Sequence, residues 1–253
     1  MRGDGGAPLD VALALRQVVL TFWSDFAPIV LLGFVMVTLP AVAQRLIGSH
    51  SGSTVVATFG GMLTVLYVVI VTVGTMARLS GRPLTAAAFV RVGIAASPPG
   101  LSVGLLLGAG VVLVLVALLF TGFSTPAEAA GSLAIVVGAF AGIVTVVPAM
   151  SAAIVERRKP FAAVARGAAL TRGSRARIAA LLIVLGLAVV PTRLVIAASI
   201  YGLGVTTAQQ AAADATMTVF SPGLWLLALF DLLAWGLAAT VPGVVYVQLA
   251  ARK

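Results

Sequence analysis

Two charged residues stand inside apolar runs and are the first candidates for chemistry. Arg193 lies in the run 178–203 and Asp231 in the run 223–250. A charge in hydrocarbon is costly, so such groups pair with one another or face water. At 1.5 Å per helical residue, Arg193 sits about 22 Å up its run from Ile178, and Asp231 about 12 Å down the next from Gly223. In a hydrocarbon core of about 30 Å the two levels differ by only a few Å. The spacing predicts an ion pair between two spans. Its structural reading is a helix–helix clamp, with Arg193 reaching toward the outer surface. Its functional reading is a gate, or a proton or anion site. We take the clamp as the expectation. Pro191, two residues before Arg193, kinks the predicted span and frees a carbonyl that could belong to a cavity.

A third candidate is Glu156, followed at once by Arg157, Arg158 and Lys159. General acid–base catalysis normally needs a positioned partner group. A lone glutamate beside three cations reads more simply as a surface ion pair or as the partner of the next helix. Arg157, Arg158, Lys159, Arg166, Arg172, Arg175 and Arg177 together form the densest basic cluster of the chain. A juxtamembrane cluster of this kind reads as a contact for anionic lipid headgroups, at about 1 kcal/mol per residue near the surface, or as a topology signal alone. His50 is the single histidine and there is no cysteine. Multi-histidine metal sites, disulfides and thiolate chemistry are therefore excluded, and no cofactor is expected. No GxSxG, HExxH, P-loop or paired-carboxylate arrangement occurs. Gly108-Ala109-Gly110 lies mid-span with no strand before it, so it is not a nucleotide loop.

The elements that position these residues follow from composition. Of 253 residues, 61% are hydrophobic and 9% charged, against about 25% charged in soluble domains. The bilayer must be the solvent for most of the chain. Six apolar runs are long enough to span it: about 26–47, 54–77, 100–121, 131–154, 178–203 and 223–250. Segments rich in Gly, Ser, Thr and Pro separate them. The net charge of +9 would ordinarily raise nucleic-acid binding, but the basic residues fall between the apolar runs. Segments 1–25, 78–99, 155–177 and 251–253 hold 14 of the 16, and the alternate segments 48–53, 122–130 and 204–222 hold none. The remaining two are Arg45 and Arg193. This asymmetry places both termini and the basic loops in the cytoplasm. A cleavable signal is not expected, since Asp4 and Asp10 come early and the first long apolar run starts near Phe26.

Residues 1–7 read as a loose tail and 8–253 as one membrane domain. Residues 8–24 are amphipathic. Asp10, Gln17, Thr21 and Ser24 recur on one side, with Val11, Leu15, Val18 and Phe22 on another. That suits a helix on the membrane surface, with Trp23 at headgroup level. The pattern returns. Pro8-Leu9, Ala12 and Arg16 match Pro83-Leu84, Ala87 and Arg91, and Pro160-Phe161 opens a third copy with Arg166 near the corresponding place. Val147-Pro148 leads to Arg158-Lys159 as Val241-Pro242 leads to Arg252-Lys253. The unit is a proline-started surface helix, a span out and a span back, with copies at about 8–82, 83–159 and 160–253. Small-residue spacings at Gly104 and Gly108, and at Gly138 and Gly142, fit close helix packing.

The stretch holding Pro148, Glu156, Pro160, Ala163, Arg166 and Leu170-Thr171-Arg172-Gly173 resembles a superfamily of bacterial membrane proteins. It includes the membrane domain fused to some glycerophosphodiester phosphodiesterases and the stand-alone YciC-like inner-membrane proteins. Gly167 and Ala168 depart from it, standing where the family tends to have Ser and Trp. The resemblance implies a six-span protein of the bacterial cytoplasmic membrane. It implies no phosphodiesterase activity, because that chemistry belongs to a separate soluble domain.

The expected architecture is an all-α integral membrane protein of six transmembrane helices in three parallel hairpins, each preceded by a cytoplasmic amphipathic helix. The expected role is a non-catalytic scaffold or accessory subunit that engages membrane lipids or a membrane-protein partner, and no nucleic acid. The alternative is a transporter or channel for a lipid-like or small amphipathic solute, with a cavity lined by Arg193, Asp231 and Gln44. An integral-membrane lipid enzyme comes last, for want of a carboxylate, histidine or metal cluster at one interface.

Overall fold

A computed structural model of the chain describes residues 9–47, 52–121, 125–204, 209, 212–213 and 216–251. Pro8, the 1–7 tail, His50, Arg252 and Lys253 lie outside them. The described residues contain helices and no strand. In order these are α1 (Val11–Ser24), α2 (Phe26–Gly33), a π-turn (Phe34–Thr38), α3 (Leu39–Ile47), α4 (Gly52–Leu79), α5 (Ala86–Ala95), α6 (Ser97–Thr121), α7 (Pro126–Val146), α8 (Ala149–Glu156), α9 (Pro160–Leu170), α10 (Arg175–Tyr201) and α11 (Pro222–Ala250). Five stretches are long and apolar enough to cross a membrane: Phe26–Ile47, Val55–Leu79, Glu128–Glu156, Arg175–Tyr201 and Pro222–Ala250. A sixth is formed if α5 and α6, which meet at a 69° bend, count as one.

Local chemistry explains where helices start and break. Asp10 caps α1 by accepting from Leu13 N–H at 3.0 Å, and Thr85 caps α5 by accepting from Ala88 N–H. Thr125 and Glu128 form a reciprocal capping box at the start of α7. Pro98 and Pro99 are accommodated in the first turn of α6, where their missing N–H groups need no partner. They cannot continue α5, which gives the bend. Pro40 likewise leaves a gap in the ladder of the first span. The preceding turn widens there, with Leu39 N–H donating to Phe34 O five residues back. Pro148 breaks the fourth span into α7 and α8. The prolines of the expected repeat do not act alike: Pro160 is the first residue of α9, whereas Pro83 lies ahead of the Thr85 cap and outside α5.

The core lies between α4 and α11. Every residue from Val69 to Met76 of α4 is buried. Tyr67, fully buried, reaches across to donate its hydroxyl to Ile29 O at 3.3 Å. A side chain at Gly33 or Gly236 would collide with its neighbours around this ring: a Cβ would stand 2.1 Å from Leu232 at the former and 3.0 Å from the Tyr67 hydroxyl at the latter. Phe89 of α5 plugs α4 at Gly74, where a Cβ would come within 1.9 Å of its ring. Thr72 on α4 donates its hydroxyl to Ala239 O of α11 at 3.1 Å. By contrast α10 is peripheral: 11% of its most apolar stretch is buried, against 44% for α11.

The expected glycine contacts are corrected by this packing. Gly104 does pack closely on Val65, but Gly108, Gly138 and Gly142 have nothing within 4 Å of a Cβ position. The polar side of α1 is also corrected. Thr21 is buried, and Gln17 accepts from Gln248 Nε2 of α11 at 2.8 Å, while Leu13, Leu20 and Trp23 are exposed. Val18 and Phe22 of the expected apolar side are buried and Asp10 and Ser24 are exposed, so only the Gln17 and Thr21 part of the polar side is turned toward the bundle, where polar groups find partners in protein.

Candidate functional site

The basic end of the bundle is built from helix termini. Glu156 closes α8 and accepts from Arg158 Nε at 2.5 Å, from Arg166 Nε of α9 at 2.9 Å and from the Tyr246 hydroxyl of α11 at 3.3 Å. One carboxylate thus joins three helices. Arg157, next in the chain, takes the left-handed conformation (φ 47°) that ends α8 and turns the backbone toward α9. Gly173, at φ 84°, turns the chain again between α9 and α10. α9 lies so close to the Pro148 break that a Cβ on Gly167 would be 3.0 Å from the Ala149 backbone nitrogen. Glycine at 167, one of the two departures from the family pattern, is what this approach requires. Thr171 donates to Thr145 O at 3.3 Å, and Arg177 Nη1 to Leu9 O at 3.1 Å, tying this corner to α7 and to the start of α1.

The seven basic residues therefore divide. Arg158, Arg166 and Arg177 each donate to a protein oxygen, and of these only Arg166 is half-buried; Arg157, Lys159, Arg172 and Arg175 are exposed. Arg16, Arg82 and Arg91, on or beside α1 and α5, are exposed as well. Sequence reasoning missed a further ion pair at this end. Asp25, between α1 and α2, receives Arg78 Nε at 2.6 Å and Arg78 Nη2 in a second contact, and Arg78 Nη2 also reaches Ser24 O at 3.2 Å. Asp25 is 5% exposed and Arg78 29%. The signal was available: Asp25 immediately precedes one apolar run and Arg78 ends the next, so both sit at one membrane level.

The second group of charges lies far from this end. Arg193 Nε donates to Asp231 Oδ1 at 2.8 Å, and Arg193 Nη2 to Oδ2 at 3.4 Å, joining α10 to α11. A third member comes from α3: Arg45 Nη2 stands 3.7 Å from Asp231 Oδ2. Gln44, the neighbour that sequence reasoning had placed here, is exposed and points elsewhere. A helix turns 100° per residue, so the two adjacent side chains cannot share a face. Pro191 is also corrected. It is exposed on the outside of an unbroken α10, among Val190, Leu194 and Val195, and lines no part of the core.

Two shallow dents mark the surface of the described residues. One, of about 220 Å³, lies between Pro28, Leu32, Met36 and Val90; the other, of about 340 Å³, is bounded by Val55, Thr58, Phe59 and Met62. Both are open and almost wholly apolar, and neither contains Arg193, Asp231 or Glu156. No protein-family model, no curated protein and no solved structure matches this chain.

Proposed function

We propose that this protein is a multi-pass scaffold or accessory subunit of a bacterial cytoplasmic membrane, built from three helix-plus-hairpin units. Its basic end faces the cytoplasm and rests on anionic lipid headgroups. The observation that carries this reading is the division of labour at the basic end. Glu156 fastens α8, α9 and α11, Gln248 fastens α11 to α1, and Asp25 fastens the α1–α2 junction to α4. Arg157, Lys159, Arg172 and Arg175 are left exposed beside the helix ends. A carboxylate held by two guanidiniums and a phenol is a structural fastener, and exposed cations beside a span are attracted to anionic lipid. The family resemblance around Pro148, Glu156 and Gly173 supports the same assignment.

The chain has no cysteine, so single-cysteine labelling tests the orientation cleanly. Arg172→Cys should react with a membrane-impermeant maleimide only in broken cells. Phe220→Cys, at the start of α11, should react in intact ones. The reverse pattern sinks the proposed orientation. Native mass spectrometry of the gently extracted protein then tests the role. A stoichiometric companion, or anionic lipid whose retention falls when the four exposed cations become glutamine, is expected. Turnover or translocation of a solute by the purified chain would overturn the scaffold reading.

A further inference from the structure

We propose that Arg45 and Arg193, bracketing Asp231, form a binding site for a phosphate group at the end of the bundle remote from the basic cluster. The phosphate belongs to an anionic lipid headgroup or is free in solution. Three different spans deliver the three side chains. Measured along the helices at 1.5 Å per residue, Arg45 lies about 28 Å from Phe26, Arg193 about 27 Å from Arg175, and Asp231 about 28 Å from Ala250. The three levels coincide, well away from Glu156 and its partners.

Among the described residues the charges there do not cancel: two guanidiniums share one carboxylate. Both Asp231 oxygens are taken up by Arg193, at 2.8 and 3.4 Å. Arg45 approaches only to 3.7 Å, beyond hydrogen-bond range. Its Nη1 is buried and has no hydrogen-bond partner among the described residues. Arg45 is therefore held to Asp231 only by a long ion pair through Nη2, with its Nη1 donors unmatched among the described residues, and Asp231 is what permits a second arginine to stand beside the first. A planar guanidinium offers a fork that matches two phosphate oxygens, and it is retained in hydrocarbon when an anion completes its shell. Phosphate headgroups lie at the level such long helices reach, since α11 has 29 residues and the hydrocarbon core needs about 20. Asp214, in the connection between α10 and α11, lies outside the described residues, and the experiment below includes it.

The protein carries its own reporters. Of its three tryptophans, Trp225 and Trp235 flank Asp231 on α11, and Trp23 sits at the basic end. In the full chain carrying Trp23→Phe, reconstituted in phosphatidylcholine vesicles, brominated phosphatidylglycerol and brominated phosphatidylcholine are compared as quenchers at equal mole fraction. Bromine quenches on contact, so lipid at the basic end does not register. Both lipids carry a phosphodiester, but in phosphatidylcholine the choline ammonium neutralises it, so the site should prefer the anionic lipid, by about tenfold for about 1.4 kcal/mol of net charge attraction. Arg45→Gln, which removes no hydrogen bond among the described residues, should bring the preference near parity. Release by added inorganic phosphate identifies a soluble source, and resistance to it identifies the lipid. Equal quenching by both lipids with no response to phosphate overturns the proposal. So does a preference that survives Arg45→Gln, or one seen only in Asp214→Asn, which would make Asp214 the partner of Arg45. Should Arg45→Gln fail to fold, the lipid comparison and phosphate competition on the Trp23→Phe protein decide alone.

Discussion

Removing Arg78 should cost far more than removing Asp25, although the two form one ion pair. The reason is their unequal burial. Asp25 is 5% exposed, held between α1, α2 and α4, and accepts two bonds from the same guanidinium. Arg78→Ala leaves a buried carboxylate unpaired, which costs about 3–5 kcal/mol. Asp25→Ala strands a guanidinium that is 29% exposed, at the last turn of α4. Its long side chain can extend to the interface and be solvated there. That variant loses the bonds without a buried charge, about 1–2 kcal/mol. The double variant should be less damaged than Arg78→Ala alone, giving a coupling of about 1–3 kcal/mol. The assay is reversible unfolding by SDS in mixed micelles, followed through Trp23, which stacks on Phe26 with ring centroids 5.1 Å apart. Equal losses in the two single variants, or losses that simply add in the double, would refute the reasoning from burial.

Two further outcomes follow from the packing. Gly74→Ala should destabilise by about 1–3 kcal/mol, as overpacking does, because the new Cβ meets the Phe89 ring at 1.9 Å; Gly138→Ala, with nothing within 4 Å, should be neutral or mildly stabilising. Unfolding of the two variants in the same micelles checks the pair, and equal effects would remove the α4–α5 plug from the account. Glu156→Gln should weaken the hold of α8 on α9 by about 1–2 kcal/mol, chiefly through Arg166, since Arg158 is 45% exposed and contributes little. Trypsin should then cut after Arg157 or Arg158 several-fold faster in folded protein, and Arg166→Gln should reproduce the effect. An unchanged rate would mean the carboxylate does not fasten this corner.

Several features of the site were legible because they are local. Glu156 precedes three cations and a proline-started helix, so its role as a partner for the next helix could be read from spacing alone. Arg193 and Asp231 were found because each interrupts an apolar run, and a simple count along two helices put them at one level. Arg45 was missed for an equally physical reason. It stands near the end of its run, where a basic residue ordinarily needs no partner, and Gln44 beside it was the more conspicuous polar group. Arg78 was absorbed into a count of loop cations and Asp25 was not singled out, although the two are buried or half-buried against each other. The polar side of α1 could be identified but not aimed, since Gln17 and Thr21 satisfy either water or a neighbouring helix.

The sequence by itself determined that the chain is helical and where its long apolar stretches fall. Those properties depend on residues within a turn or two of one another and on hydropathy summed along a span. Only the tertiary structure decided which faces meet. Tyr67 enters the space left by Gly33 and Gly236, Phe89 occupies Gly74, and Gly138 faces open space, though nothing in their flanking residues separates the three cases. In a chain so uniformly apolar, a side chain loses nothing by facing lipid rather than protein. Helix partners are therefore chosen by shape and by a few polar groups, and both become visible only when helices far apart in sequence are brought side by side.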